Sequence, residues 1–417
     1  MESKSNAMLS LLNGHITEAN ATAKPKPVDD VWAALNLDQH LSEKGIAIRN
    51  KTREFMRSIQ TELIQYQNKT EFPFHLVERI RDLGVNGFGI KDFGGPGLGS
   101  MEVAAVCYEI AKIDASIGTF LIVHNSIGMA VVDMLGSEEQ RAKILPDAIA
   151  LRKIMSFGLT EPDYGSDATS LKTSAKKVPG GYILNGQKRW IGNATFADYI
   201  IVWARNAEEG NKVQAFVVEK GSKGLKTSKI ENKFALRIVQ NADITLEDVF
   251  VPDNMRLAKA TDFATGTNVI LEHSRLKVAW GGVGIACGAY EAALKYALER
   301  KQFGKSIASF QLSQLKLSKM LALCESMLTY TIRIQQLYDQ GKTTIGQIGR
   351  CKSHNTQTAR EVCAMARDLC GGNGILMENQ VIKQFMDIEA VHTYEGTYEV
   401  NMLVSGREIT GGLNAFR

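Results

Sequence analysis

The sequence predicts a mostly helical protein with a small antiparallel β-domain at its centre. Residues 41–155 form an N-terminal helical domain, residues 156–262 the β-domain, and residues 263–417 a helical bundle. Two observations carry this expectation. Apolar residues recur at helical spacing in both outer regions and switch to strand-like alternation between them. The chain has 417 residues, with 44% hydrophobic and 23% charged, which is too long for one core and balanced for several packed ones.

Residues 1–40 read as a disordered arm, rich in Ser, Asn, Ala and Lys, with Lys24-Pro25-Lys26-Pro27 inside it. Ile46, Ile48, Phe55, Ile59 and Leu63 then mark one apolar helix face, broken at Glu71-Phe72-Pro73. Leu76, Ile80 and Leu83 mark a second helix, closed by Gly84. Met101 to Leu135 is almost continuously apolar, as in helices buried within a bundle. In the middle region, Tyr182–Leu184 and Gln187–Trp190 flank Asn185-Gly186 and read as a hairpin. Tyr199–Ala204, Val213–Val218 and Ala242–Leu246 read as further strands. With no helices between them, antiparallel pairing is expected. Helical spacing returns at Val269, and Gly371-Gly372-Asn373-Gly374 stops a long helix that begins near Ser353.

The net charge of +4 argues against binding along a nucleic-acid backbone. No apolar run is expected to reach bilayer-spanning length. Cys107, Cys287, Cys324, Cys351, Cys363 and Cys370 are scattered and read as buried reduced thiols, with no metal site. The first arginine is Arg49, unlike an Arg-rich mitochondrial presequence, and the C-terminus is not a Ser-Lys-Leu-type address. Peroxisome and mitochondrial matrix both stay open.

Several short motifs offer chemistry. Glu161 to Asp167 encloses a glycine turn able to present N–H groups, or simply an ordinary turn. Trp190 beside Gly192 offers an aromatic wall, or core packing. Arg300-Lys301-Gln302-Phe303-Gly304 follows a helix end, where cations suit the dipole or could grip a diphosphate. Glu395 sits among Ala390, Val391, Tyr394 and Gly396 with few positive charges nearby in sequence. A carboxylate in such a site becomes a usable base.

Together and in this order, Thr160-Glu161-Pro162, Gly165-Ser166-Asp167, Trp190-Ile191, Arg300 to Gly304, Gly371 to Gly374 and Tyr394-Glu395-Gly396-Thr397 resemble the acyl-CoA dehydrogenase and acyl-CoA oxidase flavoprotein family. The likeness runs from about Leu41 to Gly411 and is greatest to the plant short-chain acyl-CoA oxidase branch, with glutaryl-CoA dehydrogenase next. It implies the acyl-CoA dehydrogenase fold with a C-terminal four-helix bundle, FAD as cofactor, and a homotetramer acting in fatty-acid (β-oxidation) or amino-acid catabolism. It implies that Glu395 removes the α-proton of an acyl-CoA while the β-hydrogen leaves as hydride, giving a trans-2-enoyl-CoA. Phe157, Leu159, Thr160, Trp190 and Ile191 correspond to the flavin wall. Arg300, Gln302, Phe303, Gly371 and Gly372 correspond to FAD contacts from a neighbouring subunit. Thr397 and Glu399 correspond to positions near the FAD phosphate and adenosine. Ser166, Arg275, Tyr394 and Gly396 correspond to substrate contacts.

Two departures sharpen the expectation. Gly118 stands where glutaryl-CoA dehydrogenase has an arginine for the distal carboxylate, which points to an unsubstituted, short acyl chain. Gly192 replaces a threonine found in typical dehydrogenases, leaving space and removing a donor near the flavin. That favours O₂ as electron acceptor over electron-transferring flavoprotein. A nitroalkane oxidase would carry aspartate in place of Glu395, and a non-enzymatic scaffold would have lost Glu395, Arg300 or the glycine stop.

Overall fold

The protein is described by a computed structural model covering residues 26–413 and 415. Helix α1 (Val31–Ala34) is capped by Asp30 and followed by α2 (Glu43–Lys69), α3 (Leu76–Asp82) and α4 (Ser100–Ile113). Residues 26–40 differ from the expected disordered arm, whose first 25 residues lie outside the described ones. Val31 and Trp32 are fully buried, and Trp32 packs 6.2 Å from Trp280. The cause is a long-range charge network. The buried Arg49 guanidinium lies over the Trp32 ring and bonds Glu109 at 2.8 Å and Asp38 at 3.0 Å, with Asp30 at 3.5 Å.

A single rod then runs from α5 (Ala115–Ile122) through a π-helical turn (Val123–Met129) into α6 (Ala130–Leu135). This 21-residue stretch is by length and composition apolar enough to cross a bilayer, contrary to expectation, and it is almost wholly buried inside the fold. In the π-turn, buried His124 bonds the Ala148 carbonyl at 3.0 Å and accepts from Met155 N–H at 3.1 Å. Those bonds tie the rod to α7 (Glu138–Ile149) and to the first strand, and burial holds the imidazole neutral, down to about 4.

The β-domain comprises β1 (Met155–Gly158), β2 (Ser174–Val178), β3 (Gly181–Ile191), β4 (Tyr199–Asn206), β5 (Lys212–Glu219), β6 (Leu225–Lys229) and β7 (Ala242–Pro252). Most pairings are antiparallel, but β4 runs parallel to both β1 and β2. The crossover is made by strands, because β2 and β3 form their hairpin before the chain returns to β1. That hairpin turns at Pro179-Gly180, where Gly180 has φ +80°. The expected turn at Asn185-Gly186 is instead a bulge inside one continuous strand, with a register shift between Leu184 and Gly186. Glycine is required there by a close approach: a Cβ on Gly186 would lie 2.7 Å from the Thr173 Cα.

The C-terminal bundle is α8 (Val269–Glu299), α9 (Gln311–Asp339), α10 (Ile345–Leu369), α11 (Gln380–Thr393) and α12 (Tyr398–Ile409). Buried ion pairs stitch it to the N-terminal helices. Lys383 on α11 bridges Asp114 at 3.1 Å and Asp387 at 2.6 Å, and Lys112 on α4 meets Glu291 at 2.9 Å. All six cysteines are free and buried, and no metal-ligand cluster occurs among the described residues.

Candidate active site

Residues 394–396 form the tight turn between α11 and α12. Glu395 takes φ +56° and Gly396 φ +89°, so the chain reverses with its carbonyls facing inward. Those carbonyls are held from three helices. Arg275 of α8 donates its Nε to the Glu395 carbonyl at 3.1 Å. Lys352 of α10 donates its Nζ to His392 O and Gly396 O, both at 2.8 Å. Asn401 of α12 donates to Gly396 O at 2.9 Å, and a Cβ on Gly396 would crowd it at 3.0 Å. The Glu395 N–H meets no protein acceptor among the described residues.

The Glu395 carboxylate receives one hydrogen bond, from Ser274 Oγ at 2.7 Å. Burial raises its pKa above the ordinary carboxylate value, against the lowering influence of Ser274, Arg275 and Lys352. The expectation of few cations nearby therefore fails in three dimensions, because Arg275 and Lys352 arrive from other helices. Both point at backbone oxygens, so neither forms an ion pair with the carboxylate. Burial lowers Lys352 to about 7, an effect Glu395 opposes and Arg275 adds to.

Beside the turn lies an apolar cavity of about 20 Å³, room for a single water. Ile110, Gly118, Thr119, Ile122, Ile285 and Tyr394 are among its walls, and no charged side chain lines it. The Tyr394 hydroxyl lies 3.4 Å from Thr119 Oγ1, and burial pushes the phenol well up, so it stays protonated. Tyr394 thus joins the cavity to the carboxylate.

The predicted flavin wall gathers at the ends of β1 and β3. Phe157, Leu159 and Ile191 are buried and Thr160 is half-buried, while Trp190 exposes 52% of its surface at φ +64°. Such an uncovered indole is not core packing; its ring meets the Arg189 guanidinium at 5.3 Å. Gly192 does not leave the expected space. A Cβ there would meet Val123 of the π-turn at 3.1 Å, so the glycine is explained by helix–strand contact.

Sequence reading missed what rigidifies this rim. Glu161 is buried and accepts from Lys172 N at 2.6 Å, Thr173 N at 2.8 Å, Thr173 Oγ1 at 2.5 Å and Lys188 Nζ at 2.9 Å. Burial alone would raise its pKa, but Lys188 and the surrounding donors outweigh burial and lower it. Lys188, lowered by burial to about 8 against the pull of Glu161, is still charged at neutrality, so the pair is ionic. The Lys188 position alternates with Gln187 and Arg189 along β3, and nothing local distinguishes it.

Other predicted residues stand apart. Ser166 is exposed on the loop after β1. Arg300, Gln302 and Phe303 belong to an exposed two-strand hairpin, β8 (Lys301–Gln302) and β9 (Lys305–Ser306), with Phe303 93% exposed and Arg300 in no ion pair among the described residues. Gly371 and Gly372 are exposed with open space around them, and Asn373 bonds Tyr296 of α8 at 2.9 Å. Thr397 caps α12, and Glu399 lies exposed in its first turn.

Family models for the acyl-CoA dehydrogenase N-terminal, middle and C-terminal domains match residues 42–152, 156–249 and 263–410. The caffeyl-CoA reductase–Etf complex subunit CarC of Acetobacterium woodii is 32% identical over 373 residues, spanning 88% of this chain and 98% of that one. The structure of a glutaryl-CoA dehydrogenase from Mycobacterium smegmatis in complex with FADH2 superimposes with a TM-score of 0.88 at 28% identity, covering 93% of this chain and 99% of that one. Butyryl-CoA dehydrogenase from Megasphaera elsdenii superimposes at 0.84 with 27% identity, covering 89% and 99%. Three domain matches in order, with near-complete overlap of relatives, place this chain in the acyl-CoA dehydrogenase family.

Proposed function

We propose that this protein is an FAD-dependent oxidoreductase that introduces the α,β double bond into an unsubstituted, short-chain acyl-CoA. The observation that carries the reading is a half-buried glutamate of raised pKa, Glu395, next to a cavity without charge. The residues present fit FAD: an uncovered Trp190 beside Ile191 suits a flat ring, and the unpaired Arg300 suits a phosphate. Bound FAD would supply hydride acceptance from the β-carbon.

The chain's own residues supply the rest. Glu395 takes the α-proton, and its elevated pKa makes it a stronger base. The free Glu395 N–H is positioned to donate to the thioester oxygen as that atom gains charge. Arg275, Lys352 and Asn401 hold the turn that presents both groups. Ser274 steadies the carboxylate without neutralising it. An apolar acyl chain would have to widen the Gly118 cavity, which has room for a single water, and in entering it would exclude water from the site.

The electron acceptor in this reading is an electron-transferring flavoprotein. The Acetobacterium relative's association with Etf supports it, and the Gly192 argument for O₂ loses its open space, since Val123 borders that position and leaves only the missing donor. Arg300, Phe303 and the Gly371-Gly372 turn serve a neighbouring copy's FAD in a homotetramer, a role their exposure allows.

The test is a steady-state series with butyryl-, octanoyl- and glutaryl-CoA, with either electron-transferring flavoprotein or O₂ as acceptor. Butyryl-CoA with the flavoprotein should turn over fastest. A preference for glutaryl-CoA would refute the uncharged cavity as the acyl site, and peroxide release matching turnover would restore O₂.

A further inference from the structure

A second, larger cavity of about 260 Å³ lies behind the acyl pocket. Phe88 lines both. Along the second cavity, Phe88, Leu98, Val103 and Trp280 make apolar walls, and His273, Lys277 and Tyr338 make a polar end. The volume is many times what one ordered water needs.

The polar end offers donors, and no carboxylate lies within ion-pair distance of Lys277 among the described residues, although the charge of Asp339 acts on it from further away. Lys277 Nζ donates to His273 Nε2 and to His273 O, both at 2.9 Å. Its third N–H has no acceptor among the described residues, and Lys277 makes no ion pair there. Since an ammonium only donates, Nε2 of His273 is the acceptor. Burial and the adjacent Lys277 keep the imidazole neutral, so its proton sits on Nδ1. That proton is available to Tyr338 Oη at 3.3 Å, which leaves the phenol, a lining residue of the cavity, free to donate its own hydrogen. Nearby carboxylates are already engaged: Asp339 accepts from Ser100 and Gln335, and Asp133 from Arg141.

We propose that this cavity is a binding site for a small monocarboxylate with an apolar tail. The carboxylate accepts from Lys277 Nζ and Tyr338 Oη, and the tail packs against Phe88, Leu98 and Trp280. Two convergent donors at one end suit a carboxylate, and the other polar groups of the lining, Ser100, Asn125, Asp133 and Gln335, are already bonded to protein partners, so the tail meets mainly hydrocarbon. The site is independent of the acyl-CoA chemistry assigned to Glu395.

The experiment is calorimetric titration of the FAD-loaded protein with hexanoate, with and without a saturating non-reactive acyl-CoA thioether. One saturable site is expected, unaffected by the thioether. Lys277→Met should weaken it at least tenfold, Tyr338→Phe about threefold or more, and 1-hexanol should bind far more weakly than hexanoate. If Lys277→Met fails to fold, Tyr338→Phe and the alcohol comparison decide. Absence of saturation, displacement by the thioether, equal binding of the alcohol, or undiminished binding in Tyr338→Phe would each overturn the proposal.

Discussion

Two glutamates, Glu161 buried and Glu395 half-buried, show how this fold lowers the pKa of one carboxylate and raises that of another. Glu161 on the β-domain rim collects four donors, including the Lys188 ammonium, and its pKa falls. Glu395 in the bundle collects one hydroxyl, and its pKa rises. Burial acts on both in the same direction. The number of donors aimed at the oxygens reverses the outcome. Around Glu395 the cations are present but spent on backbone carbonyls, so they fix the turn without quenching the base.

The harshest test of that contrast is Glu395→Gln. Losing the general base should cut acyl-CoA-driven flavin bleaching by about 10⁴-fold, the upper range for such a group, while flavin binding survives. A stopped-flow trace with substantial bleaching would show that the base lies elsewhere. Lys188→Met asks the opposite question at the rim. It leaves Glu161 buried without its cation and should cost about 3–5 kcal/mol of stability, read by chemical denaturation. Ser274→Ala probes the finer balance. Removing the hydroxyl that favours the ionised form should move the acid limb of the kcat/KM–pH profile to higher pH. On that limb the loss should be roughly tenfold, because a hydrogen bond to a charged group is worth about 1.5–3 kcal/mol. An unmoved limb would mean that Ser274 does not set the basicity of Glu395.

The smallest effect is a difference in sign. Glu161 has a folded pKa below its unfolded one, so its stabilisation is complete above the unfolded value and is lost as pH falls through the folded value. Glu395 has a folded pKa above its unfolded one, so its contribution is present at low pH and is lost as pH rises through the folded value. Comparing thermal midpoints against pH, Glu395→Gln should gain on the parent protein above neutrality. Glu161→Gln should lose the acid-sensitive part of its pH dependence. Parallel curves for the two variants would break the comparison.

The sequence made the three-domain order and Glu395 legible because both are written locally. The helical and strand periods change at the domain borders, and Tyr394-Glu395-Gly396-Thr397 is a contiguous motif. What it concealed is non-local. Ser274, Lys352 and Asn401 reach the turn from three separate helices, and no spacing links them to Glu395. Trp32 lies in a short apolar run, Val31 to Leu35, too brief to signal a helix, yet Arg49 and Trp280 hold it in the core. Gly186 and Gly192 carry the signature of a turn and of an opening, yet each answers to a neighbour, Thr173 and Val123, distant in sequence.

The rod from Ala115 to Leu135 acts as a girder shared by two machines. Its first turns, at Gly118, Thr119 and Ile122, wall the cavity proposed to receive the acyl chain. Its π-turn braces Gly192 through Val123 and β1 through His124. Load applied at one end is therefore felt at the other. A substitution that re-tilts this member to widen the acyl floor would also shift the Trp190 rim, so chain-length redesign here carries a built-in penalty in cofactor alignment.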